Sequence, residues 1–370
     1  MKKILVFGIT DKKGGVESVI MNYYRNINRD KLQFEFLCNT KKVAYEDEIT
    51  ALGGKIYRIT ARSENFNQYK SEMDQFFKNH SKEYSTIWVN VCSLANIDYL
   101  IYAKKYGIKK RIIHCHNSQN MDSFIRGMIH RFNKKRLEKY ATDFWTCSES
   151  SSKWFYSSKI INSSKYLVIN NAINIDNFLF DENKRKKTRN EFNIDDDTLL
   201  IGNIGRFHSQ KNHEFIIEIF KAINSKYPKS KLILVGTGDD KEKIKGLVKK
   251  EKLANEVIFT GERKDVSNIL SAMDVFLFPS KYEGLGVALI EAQANGLKCF
   301  TSKDVVPLEA NISGEVDYIS LNDKASEWAK KILTYYNDNK NLNRKINRDL
   351  FTKSGFDIKS EINKFEEKII

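Results

Sequence analysis

Short apolar runs separated by segments of helical periodicity recur along this chain in two successive series. The first comprises Ile4–Ile9, Phe34–Cys38, Thr86–Val91, Arg111–His114, Phe144–Cys147 and Tyr166–Ile169. The second comprises Leu199–Ile204, Lys231–Val235, Val257–Thr260, Val275–Phe278, Lys298–Thr301 and Tyr318–Leu321. Runs of this length fit strands buried on both faces. Strands that alternate with helices imply parallel sheets, because a parallel pair needs a long crossover. Two such series imply two doubly wound α/β domains, which 370 residues accommodate. The charged, proline-free segment Asp181 to Arg189 falls between them and reads as the join, placing the domains at 1–180 and 190–355. Ligands in open α/β sheets bind beyond the C-terminal strand ends, so two facing domains would share a cleft.

Composition narrows the function classes. No apolar run approaches the roughly 20 residues a membrane-spanning helix requires. The N-terminal Met1-Lys2-Lys3 and its apolar run resemble a signal peptide only briefly, since Asp11-Lys12-Lys13 follows at once. Five cysteines (38, 92, 115, 147 and 299), scattered and without metal spacing, suit a reducing cytoplasm. A formal charge of +15 points to an anionic partner: nucleic acid, the anionic leaflet of a membrane, or anionic substrates. No nucleic-acid module or aromatic-basic motif is present, so no nucleic-acid partner is expected.

The stretch Asp274 to Gly296 carries the densest cues. Pro279 and Ser280 end an apolar strand, Glu283-Gly284-Leu285-Gly286 forms a glycine-bearing loop, and Val287 to Ala294 reads as a helix closed by Asn295-Gly296. Glu283 thus sits in a loop off a strand end and Glu291 about one turn into a helix. The first helical amides lie between them, a natural seat for phosphate. By themselves, both acids read equally well as solvated surface groups. Glutamate, seven residues and glutamate again, after a strand ending Phe-Pro-Ser, resembles the signature of retaining GT-B glycosyltransferases, specifically glycosyltransferase family 4.

The rest of the chain matches that family's order. Gly205-Arg206 with Lys211 after a strand resembles the family's diphosphate clamp, and a guanidinium and an ammonium there suit phosphate oxygens. Gly236-Thr237-Gly238 ends the next strand, and Val257 to Gly261 the one where the family packs the nucleotide base. Gly14 and Gly15 before the helix Glu17 to Ile27 resemble the N-terminal glycine loop that lies against donor phosphate and sugar. His114 and His116 surround a strand end with no third metal ligand evident, and His116 matches the histidine that faces the reacting sugar. Val168 to Phe178 resembles the segment that ends the first domain, with Ala172 where the family commonly has glycine.

The resemblance implies a hexosyltransferase that retains the anomeric configuration and requires no cofactor or metal. Its donor would be a nucleotide-sugar, by family habit a UDP-sugar. Its acceptor would be a lipid-linked oligosaccharide or another saccharide, in capsule or exopolysaccharide assembly. The implied catalytic residues are Arg206, Lys211, Glu283 and His116. The implied donor-binding residues are Gly14, Gly15, Gly205, Gly236, Gly261, Gly284, Leu285, Gly286 and Glu291. The C-terminal helix, 356–370, is expected to cross back onto the first domain with Ile358, Ile362, Phe365 and Ile369 buried. A sugar-nucleotide epimerase of the same architecture is the rival reading, and a basic nucleic-acid-binding protein a remote one. Ser123 to Tyr140 interleaves Phe124, Ile125, Met128, Ile129, Phe132 and Leu137 with Arg126, Arg131, Lys134, Lys135, Arg136 and Lys139. It reads either as a core-facing helix with a solvated basic side or as a surface for anionic lipid. A cytoplasmic protein, peripheral on the inner face of the cell membrane, is the corresponding expectation.

Overall fold

The computed structural model describes residues 1–118, 123–339 and 344–370. It divides into two compact units, Met1–Ile173 with Gly355–Ile370, and Asn174–Ser354.

The first unit is built on a seven-stranded sheet of parallel neighbours. Its strands are β1 (Lys2–Phe7), β2 (Leu32–Cys38), β3 (Ile56–Arg58), β4 (Tyr84–Val91), β5 (Lys110–Cys115), β6 (Asp143–Thr146) and β7 (Tyr166–Val168). They run in the order β3-β2-β1-β4-β5-β6-β7. The order reverses between β1 and β4, which opens a crevice beyond their C-terminal ends.

The second unit repeats the plan with β8 (Leu199–Ile204), β9 (Ser230–Val235), β10 (Val257–Gly261), β11 (Val275–Phe278), β12 (Lys298–Ser302) and β13 (Val316–Ile319). Their order is β10-β9-β8-β11-β12-β13, with the reversal between β8 and β11. Among the described residues no helix is long and apolar enough to cross a membrane.

The helix Ile358–Ile369 belongs to the first unit. Asp357 caps it through the Lys359 amide, and its buried Ile358, Phe365 and Ile369 share one stripe. Phe365 stacks on Tyr23 with ring centroids 4.1 Å apart and meets Trp88 edge-on. Where the chain leaves and re-enters this unit, the Ile173 amide donates to Phe356 O and the Ile358 amide to Ile173 O, each at 3.0 Å.

Asp181 to Arg189 is not the join between the units. The helix Glu182–Glu191 lies within the second unit, capped by Asp181. Arg189 is buried, and its guanidinium donates to the carbonyls of Ala272, Asp195 and Thr198 and to Asp274 Oδ2. Arg185 donates to the other Asp274 oxygen at 2.7 Å. Composition marks such a segment as exposed, but a cation paired with a carboxylate and hydrogen-bonded through both terminal guanidinium nitrogens is tolerated inside.

Candidate active site

In the second unit the site grows from the loops after β8, β9 and β11. The Gly205 amide donates to Val235 O at 3.0 Å and the Phe207 amide to Thr237 O at 2.9 Å, so the β8 loop lies directly on the β9 loop. Glycine is required on the β9 side. A Cβ on Gly236 would come within 2.2 Å of Gly205 O, and one on Gly238 within 2.3 Å of Phe207 O. These glycines set the height of the loop that carries Arg206. Gly236 in turn donates its amide to Gly261 O at the end of β10.

Arg206 is exposed at the top of this loop. Lys211 is drawn inward, its Nζ 2.6 Å from Glu283 Oε1 and 4.4 Å from the centre of the Phe278 ring. Glu283 is only 5% exposed, so a solvated loop acid is excluded. An ammonium has three donors. One holds Glu283, which leaves Lys211 the capacity to hold an anion as well.

The loop bearing Glu283 is fastened to the β8 side by residues that sequence reasoning missed. Gln210 Nε2 donates to Tyr282 O at 2.9 Å, and the Gln210 main-chain carbonyl accepts the Lys281 amide at 2.8 Å. Asn212 Nδ2 donates to Pro279 O at 3.1 Å. These polar residues between strand and helix carry no motif that marks them.

Gly286 takes φ +85° and leads into the helix Val287–Ala294, whose first turn has no side-chain cap. Such a helix offers amides and a positive dipole end to an anion. The Leu285 side chain is buried, so that position can serve a ligand only through its backbone. Glu291 sits in the second turn, partly open to solvent. Burial pushes its carboxyl up to about 8. Gly296, at φ +75°, closes the helix as its position implies.

In the first unit the β1 loop leads to Gly14 and Gly15, which open the helix Gly15–Asn26. Glu17 is buried, and its Oε1 accepts from the Thr10 hydroxyl at 2.6 Å and the Thr10 amide at 3.3 Å. A Cβ on Gly14 would come within 2.7 Å of Glu17 Oε2, whereas Gly15 faces open space. Glu17 therefore anchors the glycine loop, a role its place in a helical first turn conceals.

His116 lies past the end of β5. Asn90 Nδ2 donates to Phe7 O at 3.3 Å, which turns Asn90 Oδ1 toward His116 Nε2, 2.9 Å away. Nε2 therefore carries the proton in the neutral ring. Burial pushes the His116 imidazole down to about 3 and His114 well below its ordinary range, so both stay neutral near pH 7. His114 is fully buried against Trp88 and His116 and faces no solvent. Among the described residues no cluster of three histidine, cysteine or acidic side chains could hold a metal ion.

The family described as Glycosyl transferases group 1 matches residues 184–349, the span that contains the clamp loop and both glutamates. Over 334 residues the chain is 26% identical to EpsF of Bacillus subtilis, named as a glycosyltransferase, covering 86% of this chain and 84% of that protein. A UDP-Gal:alpha-D-GlcNAc-diphosphoundecaprenol alpha-1,3-galactosyltransferase of Escherichia coli is 31% identical over 145 residues, 38% of each chain. The crystal structure of Anabaena HepE in complex with UDP and glucose matches with a TM-score of 0.80 at 17% identity, over 99% of both chains. This chain is a GT-B glycosyltransferase.

In the glycosyltransferase, the implied residues form two local groups. Arg206, Lys211, Glu283 and the glycines 205, 236, 261, 284 and 286 surround the strand-order reversal of the second unit, with Glu291 on the adjoining helix. Gly14, Gly15 and His116 lie past the ends of β1 and β5 in the first.

Proposed function

We propose that this enzyme belongs to glycosyltransferase family 4 and transfers a hexose, with retention, from a UDP-sugar to a lipid-linked or saccharide acceptor in surface polysaccharide assembly. The observation that carries the reading is the Lys211–Glu283 pair beside exposed Arg206, across the β8/β11 reversal. There a diphosphate meets two cations while a carboxylate is held ready for sugar hydroxyls. Arg206 and Lys211 stabilise negative charge on the departing diphosphate, the largest electrostatic contribution. They do the work of a divalent ion, so no metal is required. The amides of Gly284 to Gly286, with those of Gly14 and Gly15, supply further donors. Glu291 accepts from the ribose hydroxyls, Glu283 from the donor sugar, and neutral His116 faces the reacting sugar. The anomeric carbon–phosphate oxygen bond breaks as the acceptor hydroxyl attacks from the same face.

The E. coli relative's lipid-diphosphate acceptor and the UDP and glucose bound to HepE support the choice of substrates. The net charge of +15 supports a peripheral position on the anionic inner face of the membrane. The test is turnover with UDP-, GDP- and ADP-hexoses and an undecaprenyl-diphosphate-linked sugar, followed by NMR of the anomeric proton in the product. Release of UDP with an α-linkage from an α-donor is expected. An inverted linkage, or exclusive use of another nucleotide, overturns the reading.

A further inference from the structure

The helix Phe124–Arg136 is turned opposite to an ordinary water-facing helix. Its buried residues are Gly127, His130 and Asn133. His130 Nδ1 accepts the Leu94 amide at 3.1 Å, and Asn133 Nδ2 donates to Leu94 O at 2.7 Å. The apolar residues face outward instead, with Phe124 75%, Ile125 70% and Phe132 60% exposed, and Met128 and Ile129 between them. At 3.6 residues per turn, these five cover a continuous arc of about 140° opposite the buried side. Amphipathic helices on soluble domains point this stripe inward. Exposed large apolar residues elsewhere, such as Phe66 and Leu308, are separate along the chain, whereas a contiguous stripe marks an interaction surface.

The rim of the stripe is cationic. Arg131 and Lys135 follow one edge. Arg136 closes the other, its guanidinium 5.0 Å from the Phe132 ring centre and 2.7 Å from the Tyr140 hydroxyl. Lys139 is exposed just beyond. Lys134 is not part of the rim, because its ammonium donates to the carbonyls of Lys153 at 2.9 Å and Trp154 at 2.8 Å. The helix contains no acidic residue.

We infer that this face docks the enzyme on an anionic lipid bilayer by inserting Phe124, Ile125, Met128, Ile129 and Phe132, while Arg131, Lys135, Arg136 and Lys139 meet the headgroup phosphates. The stripe exposes roughly 500 Å² by ordinary side-chain areas, short of the ~800 Å² per partner of a stable protein interface. A narrow convex stripe with a cationic rim needs no shaped counterpart at a fluid interface. This deepens the peripheral-membrane reading above and rests on it. It differs in one respect: attraction of charge alone would vanish with screening, whereas insertion persists in salt.

The test is co-sedimentation of the full-length enzyme with phosphatidylcholine vesicles, with and without phosphatidylglycerol, across a salt series. Wild type should bind the anionic vesicles and lose only part of its partitioning as salt rises. Phe124→Ser with Phe132→Ser should lower partitioning on the order of 100-fold at every salt concentration. Arg131→Gln with Lys135→Gln should lower it about 30-fold at low salt and far less at high salt. Melting temperature and UDP release with a water-soluble acceptor analogue should not change in either variant. Wild-type indifference to anionic vesicles at low salt, or wild-type-like binding by the serine variant, overturns the inference. A concentration-dependent dimer abolished by the serine changes also overturns it, assigning the face to a second copy. Vesicle binding needs no donor, so failed sugar transfer would remove the functional reading and leave this one standing.

Discussion

Glu291 should release a proton when nucleotide binds. Burial holds its carboxyl at about 8 in the free enzyme, so at pH 7 about nine-tenths of the molecules carry the proton there. Solvent reaches part of the side chain and reduces the penalty on the charged form, so the range is about half to nine-tenths. A carboxylate accepting from both ribose hydroxyls is held in its ionised form. Binding UDP at pH 7 should therefore release about 0.5 to 0.9 proton from this group. Calorimetry of UDP binding in buffers of different ionisation enthalpy measures that release. Glu291→Gln supplies the baseline, because the nucleotide's own phosphate titration is common to both proteins.

The same group affects stability with a definite sign. Its folded value lies above its unfolded 4.5, so its contribution is fully present below about pH 4.5 and is lost as pH rises toward 8. Wild type should lose about 3 to 5 kcal/mol over that window from this group, and Glu291→Gln should lack that part of the slope. Equal proton release by wild type and Glu291→Gln would refute the ribose assignment. A stability slope unchanged by the substitution would refute the raised carboxyl.

Further expectations concern the rest of the site. Arg206→Ala should lower turnover by roughly two to three orders of magnitude, since a charge-assisted contact on the leaving diphosphate is worth about 2 to 4 kcal/mol, and should leave the melting temperature unchanged because the side chain is exposed. Glu283→Gln should keep UDP affinity within a few-fold while lowering the turnover number. It should also reduce stability by about 1 to 3 kcal/mol by weakening the contact with Lys211, as seen by urea denaturation. Gly238→Ala, whose Cβ would lie 2.3 Å from Phe207 O, should displace the Arg206 loop and weaken UDP binding by calorimetry at least about tenfold. Excess chelator should leave turnover intact; loss restored by manganese or magnesium would count against a purely cationic clamp.

The sequence by itself specified the two α/β series, because a strand buried on both faces writes its burial locally as a short apolar run. It also marked glycine positions, because turns at positive φ demand particular residues, whereas the arginine and glutamate positions were marked only through the family resemblance. Gly296 at positive φ is such a glycine. What depends on partners distant in sequence was decided only by tertiary structure. Strand order and its reversal between β8 and β11 arise from pairing across more than seventy residues, as does the Lys211–Glu283 contact. Glu17 and Asn90 look like ordinary helix and strand residues until the loops they anchor are folded beside them. Asp181 to Arg189 carries enough charge to read as the join, yet Asp274 and the carbonyls of Ala272, Asp195 and Thr198 hold its two arginines against the second unit. The helix Phe124–Arg136 makes the point most sharply. Periodicity establishes that one face differs from the other, but which face turns inward depends on what the neighbours offer. Here Leu94 and Trp154 offer backbone polar groups and a ring, so the polar side packs in and the apolar side is left outside.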